Sequence, residues 1–141
     1  MKHRLLLLTV VGLLVAGSAA VAASTGQRDL LADVNRVRVA RDRPVLDVRP
    51  GMMRRSQEHA RAMADAGYLF HSELRLPRGA EWAAEVVGVG GSIRAVVRAW
   101  LRSPDHRHLV LRRGADIAGA GIVRDGDRLW MVVQLAQTEG I

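Results

Sequence analysis

The stretch Asp116–Ala136, DIAGAGIVRDGDRLWMVVQLA, decides the fold class. Two apolar runs, Asp116–Arg124 and Arg128–Ala136, flank Asp125-Gly126-Asp127. An Asp-Gly pair between apolar runs is a strong hairpin signal, because the tight turn needs a residue that tolerates positive φ. The chain therefore predicts an antiparallel hairpin near its C-terminal end. Upstream the periodicity changes. Ile93, Val96, Val97 and Trp100 recur at helical spacing behind Ser92, a good N-cap, which predicts a helix over Ser92–Arg102 with Trp100 in the core. Pro104–Leu111 predicts a further short helical turn.

Further back, Trp82–Val89 (WAAEVVGV) is short and apolar and reads as a strand or a helical turn. Tyr68–Ala80 carries Pro77 and Gly79 and reads as irregular. A helix is predicted from Pro50, which suits a first helical turn, to Gly67, with Met53, Ser56, Ala60, Met63 and Ala64 on one face. Arg41–Pro50 is a connection with at most a scrap of strand at Val45-Leu46. Gln27–Arg41 places Leu30, Leu31, Val34 and Val37 on one helical stripe, capped by Ser24 or Thr25. Helices first and a hairpin last point to an α+β fold, with helices packed on a small antiparallel sheet.

The N-terminal segment has a different character. Lys2 and Arg4 precede the apolar run Leu5–Ala16, and Gly17–Ala23 then turns small, with Ala20-Val21-Ala22 fitting a small-x-small cleavage site. This is the layout of a secretory signal peptide over residues 1–23, which leaves residues 24–141 as one domain and places the mature protein in the cell envelope or outside the cell. Leu5–Ala23 is uncharged and just long enough to span a bilayer, so a retained anchor is the competing reading, and the membrane is met only there.

Composition narrows the functional classes. With 141 residues, 49% apolar and 25% charged, the chain can bury one core but not two. It has no Cys, which excludes a disulfide framework and a thiolate metal site. The net charge of +7 comes from twenty Arg and a single Lys, with one Phe and one Tyr in the whole chain. Arg without interleaved aromatics argues against a base-stacking nucleic-acid surface, and solvated helix faces account for most of it. No nucleic-acid partner is expected. GxSxG, HExxH, Walker and GxGxxG patterns are all missing.

Past the leader, the His are His59, His71, His106 and His108. His59 sits mid-helix beside Ala60 and Met63 and reads as a partly buried structural side chain. His71 and His106 each follow the end of a helix, and Glu85 is a carboxylate inside an apolar stretch. A buried carboxylate without a partner is costly, so Glu85 should have one, and a His would serve. Two imidazoles and a carboxylate from three segments would make an open divalent-metal site, although their spacing forms no motif.

Leu30-Leu31 with Asn35-Arg36-Val37-Arg38 resembles the opening "L…N..R" helix of the CAP superfamily, also called the SCP domain, and Pro44-Val45-Leu46 resembles its "PL" turn. Ser56–Ala64 is similar to the family's "A..HA..MA" helix, and Tyr68-Leu69-Phe70-His71-Ser72 to its "GYFSH" or "FHS" segment. Ala84-Glu85-Val86-Val87 stands where the family has "GEN(I/V)A", Ala99–Arg107 resembles the bacterial "AW..SPGHR", and Gly119-Ala120-Gly121 sits at "GVG". The resemblance covers about Leu30–Leu135. Ala84 and Val86 depart from the GEN triplet, and Asp105 replaces a Gly.

The resemblance implies a three-layer α/β/α sandwich with a small, mainly antiparallel central sheet. It also implies a cleft in which His71, Glu85 and His106 match three of the family's two His and two Glu, with Ser103 at the place of the second Glu. Such a set would bind Zn²⁺ or another divalent metal through His71, His106 and Glu85. The family has been linked to lipid binding, metal binding, protease-like activity and signalling, so membership leaves function open. The leading expectation is an exported, non-enzymatic domain that binds a ligand, such as a lipid or a metal, or a cell-envelope partner through the His71/Glu85/Ser103/His106 cleft. The alternatives are a metal-dependent hydrolase using the same cleft and a structural envelope protein whose Arg-rich surface adheres to anionic polymers or headgroups.

Overall fold

Residues 23–140 are described by the structure, a computed structural model; the leader expected over residues 1–23 lies outside it except for Ala23. Ser24 starts helix α1 (Thr25–Val39): its hydroxyl accepts from the Gln27 amide N–H while the Gln27 side chain accepts from the Ser24 N–H, a reciprocal capping box. The stripe Leu30, Leu31, Val34 and Val37 is buried. Strand β1 is only Asp47–Val48, two residues beyond the scrap expected at Val45-Leu46. The Asn35 side-chain amide explains the shift. It accepts from Leu46 N–H at 2.8 Å and donates to Leu46 C=O at 3.2 Å, taking the backbone groups a strand would need there.

Helix α2 (Pro50–Ala66) begins at its proline and ends on Gly67, whose φ of 78° is the left-handed cap that glycine favours. Strand β2 (Ala80–Gly90) resolves the ambiguity at Trp82–Val89 in favour of a strand. Helix α3 (Ile93–Arg102) is capped by Ser92 and buries Val96, Val97 and Trp100, and helix α4 (Pro104–Val110) follows at once. Strands β3 (Ile117–Asp125) and β4 (Arg128–Thr138) close the chain as the expected hairpin, with Asp125 opposite Arg128 and Gly126 at φ 60° in the turn.

The sheet runs β1-β3-β4-β2, antiparallel except for the short parallel pairing of β1 with β3. Alternation along β4 sorts its side chains into two layers. Leu129, Met131, Val133 and Leu135 join α1, α3, Val86 and Ala120 on one face. Trp130 and Val132 meet Ala60 and Met63 of α2 on the other. Helices therefore cover both faces, giving the three-layer sandwich. Among the described residues no helix is long and apolar enough to cross a membrane.

Two contacts fix α2 against β3. A Cβ on Gly119 would lie 2.2 Å from the Met52 carbonyl carbon, and one on Gly121 would lie 2.0 Å from the Ser56 carbonyl oxygen. The helix backbone thus rests directly on the strand, a close approach that only glycine allows. Along its outer edge β3 pairs with β1 only at Ile117 and Ala118. Beyond that, side chains continue the ladder: Gln27 Nε2 donates to Ala120 C=O at 2.8 Å, and the Met53 sulfur accepts from Ala120 N–H. Gln57 then pairs with both backbone groups of Ile122 at 2.9 Å.

Candidate functional site

Strand register brings the first polar residues together. Glu85 on β2 lies directly opposite Gln134 on β4, both on the face that carries Val87 and Val132 beneath α2. Glu85 is 6% exposed. A bare carboxylate in such surroundings costs several kcal/mol, and four donors answer it here. Oε1 accepts from His71 Nδ1 at 3.0 Å and from Ser72 N–H at 2.9 Å. Oε2 accepts from Ser72 Oγ at 2.5 Å and from Gln134 Nε2 at 3.1 Å. The expectation that Glu85 needs a partner, and that a His would serve, matches this arrangement.

The donors leave Glu85 ionised. Burial pushes its carboxyl upward, but the hydroxyl and amide of Ser72, the Gln134 amide and His71 together hold it below its ordinary value of 4.5. A carboxylate only accepts, so His71 Nδ1 carries a proton, and in the neutral tautomer this leaves Nε2 as the acceptor. The His71 side chain is 62% exposed. His59, expected to be structural, is buried; its Nε2 donates to the Phe70 carbonyl at 2.7 Å and lies 3.8 Å from Glu85 Oε1. The Phe70 ring packs edge-on to His59 at 4.9 Å. Together these contacts pin Phe70, His71 and Ser72, in a segment without regular structure, onto the sheet.

A depressed folded value makes Glu85 stabilising above its ordinary 4.5, and that contribution fades as pH falls through the folded value. Glu85→Gln keeps the shape but loses the charge-assisted bonds, and is expected to cost about 2 kcal/mol at pH 7. Urea unfolding at pH 7 and pH 3 should show the gap between wild type and variant narrowing at the lower pH. Parallel losses at both pH values would mean that the carboxylate is not the titrating group.

His106 is placed elsewhere in the hydrogen-bond network. It sits in the first turn of α4, with Nδ1 2.7 Å from the hydroxyl of Ser103, the residue joining α3 to α4. No hydrogen bond links the Ser103–His106 pair to the His71–Glu85 pair among the described residues. Nor is any set of three His, Asp or Glu among them disposed to hold a metal ion. Both oxygens of Glu85 already accept two bonds each, and His71 Nδ1 faces the carboxylate. As arranged, both Glu85 oxygens are committed to protein donors rather than to an ion, and His71, Glu85 and His106 form no three-ligand set among the described residues.

Sequence reasoning does not single out Gln134, and Ser72 enters it only as the last residue of the Tyr68–Ser72 segment. A lone amide inside the apolar run MVVQLA was the available signal for Gln134. Its partner, however, follows from the β2–β4 register, which no local pattern reveals.

The comparisons agree with this architecture. An outer surface protein from Borrelia burgdorferi superposes with a TM-score of 0.69 at 16% identity, over 79% of this chain and 92% of that one. An extracellular protein containing a SCP domain from Bacillus anthracis gives 0.68 at 19% identity over 80% of this chain, which matches 40% of that protein's length. Venom allergen-like protein 4 from Schistosoma mansoni gives 0.63 at 12% identity, covering 83% and 91% of the two chains. At these identities the likeness is one of fold. No curated protein sequence matches the chain. The family model described as CAP, the cysteine-rich secretory protein family, matches residues 31–135, from the buried stripe of α1 to the end of the β4 core, and the chain, although it has no cysteine, belongs to that family.

Proposed function

We propose that this CAP domain works by binding rather than by turnover, taking up an amphipathic ligand or an envelope partner on the segment around His71. The observation that carries the reading is the complete hydrogen bonding of Glu85. A carboxylate held anionic by four donors is a weak base, and Ser72, whose hydroxyl proton points to it, is a poor nucleophile. What remains available is His71 Nε2, oriented by the carboxylate behind it. Around it in sequence stand exposed Tyr68, Leu69, Leu74 and Leu76. Exposed apolar side chains flanking one fixed polar acceptor suit a ligand with an apolar body and a donor group.

Export by the leader at residues 1–23 belongs to this reading. The Borrelia and Bacillus proteins of the same fold, described as outer surface and extracellular, support an extracytoplasmic place for the chain.

Titration with a fluorescent long-chain alcohol, which carries an apolar body and one hydroxyl donor, tests the proposal. Saturable binding is expected, weakened about tenfold by His71→Ala and further by Leu69→Ser with Leu76→Ser, each bond or apolar contact being worth on the order of 1 kcal/mol. Unaltered binding in both variants would overturn the assignment of the surface. Saturable heat with Zn²⁺ that disappears in both His71→Ala and His106→Ala, accompanied by ester hydrolysis, would favour the metal-dependent hydrolase instead.

A further inference from the structure

A concave surface lies on α4 and the turn after it, sharing no residue with the His71 segment. It is a groove of about 630 Å³, lined by Arg43, Arg107, His108, Arg112 and Arg113 with Pro104, Leu111 and Gly114. Its construction follows from helix geometry. Pro104, Arg107, His108 and Leu111 are spaced i, i+3, i+4 and i+7, so they form one face of α4 and its cap. Arg112 and Arg113 follow in the next turn, and Arg43 arrives from the connection between α1 and β1.

No carboxylate lines the groove, and among the described residues none of its four arginines enters an ion pair. Asp105 lies on α4 but off the lining face, and both oxygens of Asp116 are taken by the Thr138 N–H and hydroxyl. Two of the guanidinium groups are held in place. Arg43 Nε donates to Leu111 C=O at 2.8 Å and its Nη1 to Arg41 C=O at 3.0 Å. Arg112 lies over the Trp82 ring at 4.3 Å, with its Nε 3.3 Å from Gln137 Oε1. Arg107 and Arg113 stand exposed. Behind them a fifth guanidinium, that of buried Arg38, donates to the Val110, Arg112 and Ala115 carbonyls. Burial lowers its pKa, and the charge of Arg43 lowers it further.

We propose that this groove binds an anion bearing several phosphoryl charges. Guanidinium forks match phosphate oxygens in pairs, and arginine is the side chain best suited to planar, bidentate recognition of that group. The volume exceeds what one tetrahedral anion fills and falls within the range of small-molecule sites. Arg43, with Nη2 outside the bonds that hold it, and Arg112, with both terminal nitrogens outside its bond to Gln137, are already placed, which reduces the ordering that binding would require. An anion here would also offset the mutual repulsion of five uncompensated cations, so occupancy should raise the melting midpoint.

Two probes separate the sources of such chemistry: inorganic tripolyphosphate for a soluble anion, and phosphatidylcholine vesicles doped with a phosphatidylinositol bisphosphate for a headgroup. Arg107→Ala with Arg113→Ala is expected to weaken binding about tenfold or more, the loss of roughly 1.4 kcal/mol or more. The control, Arg94→Ala with Arg98→Ala, removes the same charge from α3, where the neighbouring cleft also contains Asp33. It should change binding by less than about twofold. Circular dichroism of both doubles checks that they remain folded. Arg107/Arg113-dependent binding of tripolyphosphate alone would support the site with a soluble ligand. The same dependence on vesicles would support it with a headgroup. Equal losses in the two doubles, or no binding of either probe, would overturn it.

Discussion

Arg38→Met is expected to destabilise the protein by about 3–5 kcal/mol, read from urea unfolding at neutral pH. The Arg38 side chain is fully buried, and no carboxylate accompanies it. Its guanidinium donates instead to four backbone carbonyls: Pro44 at 2.9 Å, Val110 at 2.7 Å, Arg112 at 3.1 Å and Ala115 at 2.9 Å. These oxygens belong to segments without regular structure or at a helix end, so no ladder is available to them. Methionine fills the volume but removes the donor from Pro44, Val110 and Ala115, of which Val110 and Ala115 are the more deeply buried, while the Arg112 carbonyl keeps the Ala115 N–H at 3.3 Å. Arg38→Lys should recover only part of the loss, since an ammonium offers three donors in a different geometry. A melting midpoint unchanged in Arg38→Met would show that water replaces the guanidinium at little cost.

Gly121→Ala should lose about 3 kcal/mol or more, although it adds a single methyl group. That methyl would sit 2.0 Å from the Ser56 oxygen, 2.2 Å from its carbonyl carbon and 2.6 Å from the Gln57 nitrogen. All three are helix backbone atoms, so no side chain can rotate away, and α2 must move as a unit. Movement would also break both bonds between Gln57 and Ile122. Gly91→Ala is the matched control, because nothing lies within 4 Å of a Cβ there. It should shift the urea midpoint by no more than about 0.5 kcal/mol equivalent. Similar losses in the two variants would mean that helix and strand are less tightly apposed.

Local chemistry made much of the fold legible in the sequence. Asp125-Gly126 marked the hairpin, Pro50 and Gly67 bounded α2, and the stripe ending at Trp100 set the buried face of α3. Each of these signals acts within a few residues of itself. The features that escaped act across the chain. Strand β1 moved from Val45-Leu46 to Asp47–Val48 because Asn35, eleven residues earlier, takes the backbone of Leu46. Charge burial was equally hidden. Twenty arginines read as solvated surface, yet Arg38 lies at the centre of a carbonyl cluster that forms only when α1 meets the segment around Val110–Ala115.

The candidate site divides in the same way. Glu85 was readable as a carboxylate in need of a partner, because an acid inside WAAEVVGV conflicts with its neighbours. Ser72 and Gln134 joined it through register and loop placement. His106 is grouped with His71 and Glu85 as an imidazole following a helix end, and with Ser103 by resemblance; its hydrogen bond goes to Ser103, three residues away.

The amides along β3 have a consequence for how these molecules tolerate one another. An exposed strand edge is a template on which a foreign strand can pair, and this chain has no disulfide to resist the opening that precedes such growth. On β3 the template is already occupied: β1 covers Ala118, Met53 and Gln27 cover Ala120, and Gln57 covers Ile122. An incoming strand would have to displace side chains anchored on two helices that the core itself holds in place. Strand addition is thereby hindered from Ala118 to Ile122 by side chains, without lengthening the sheet by another strand.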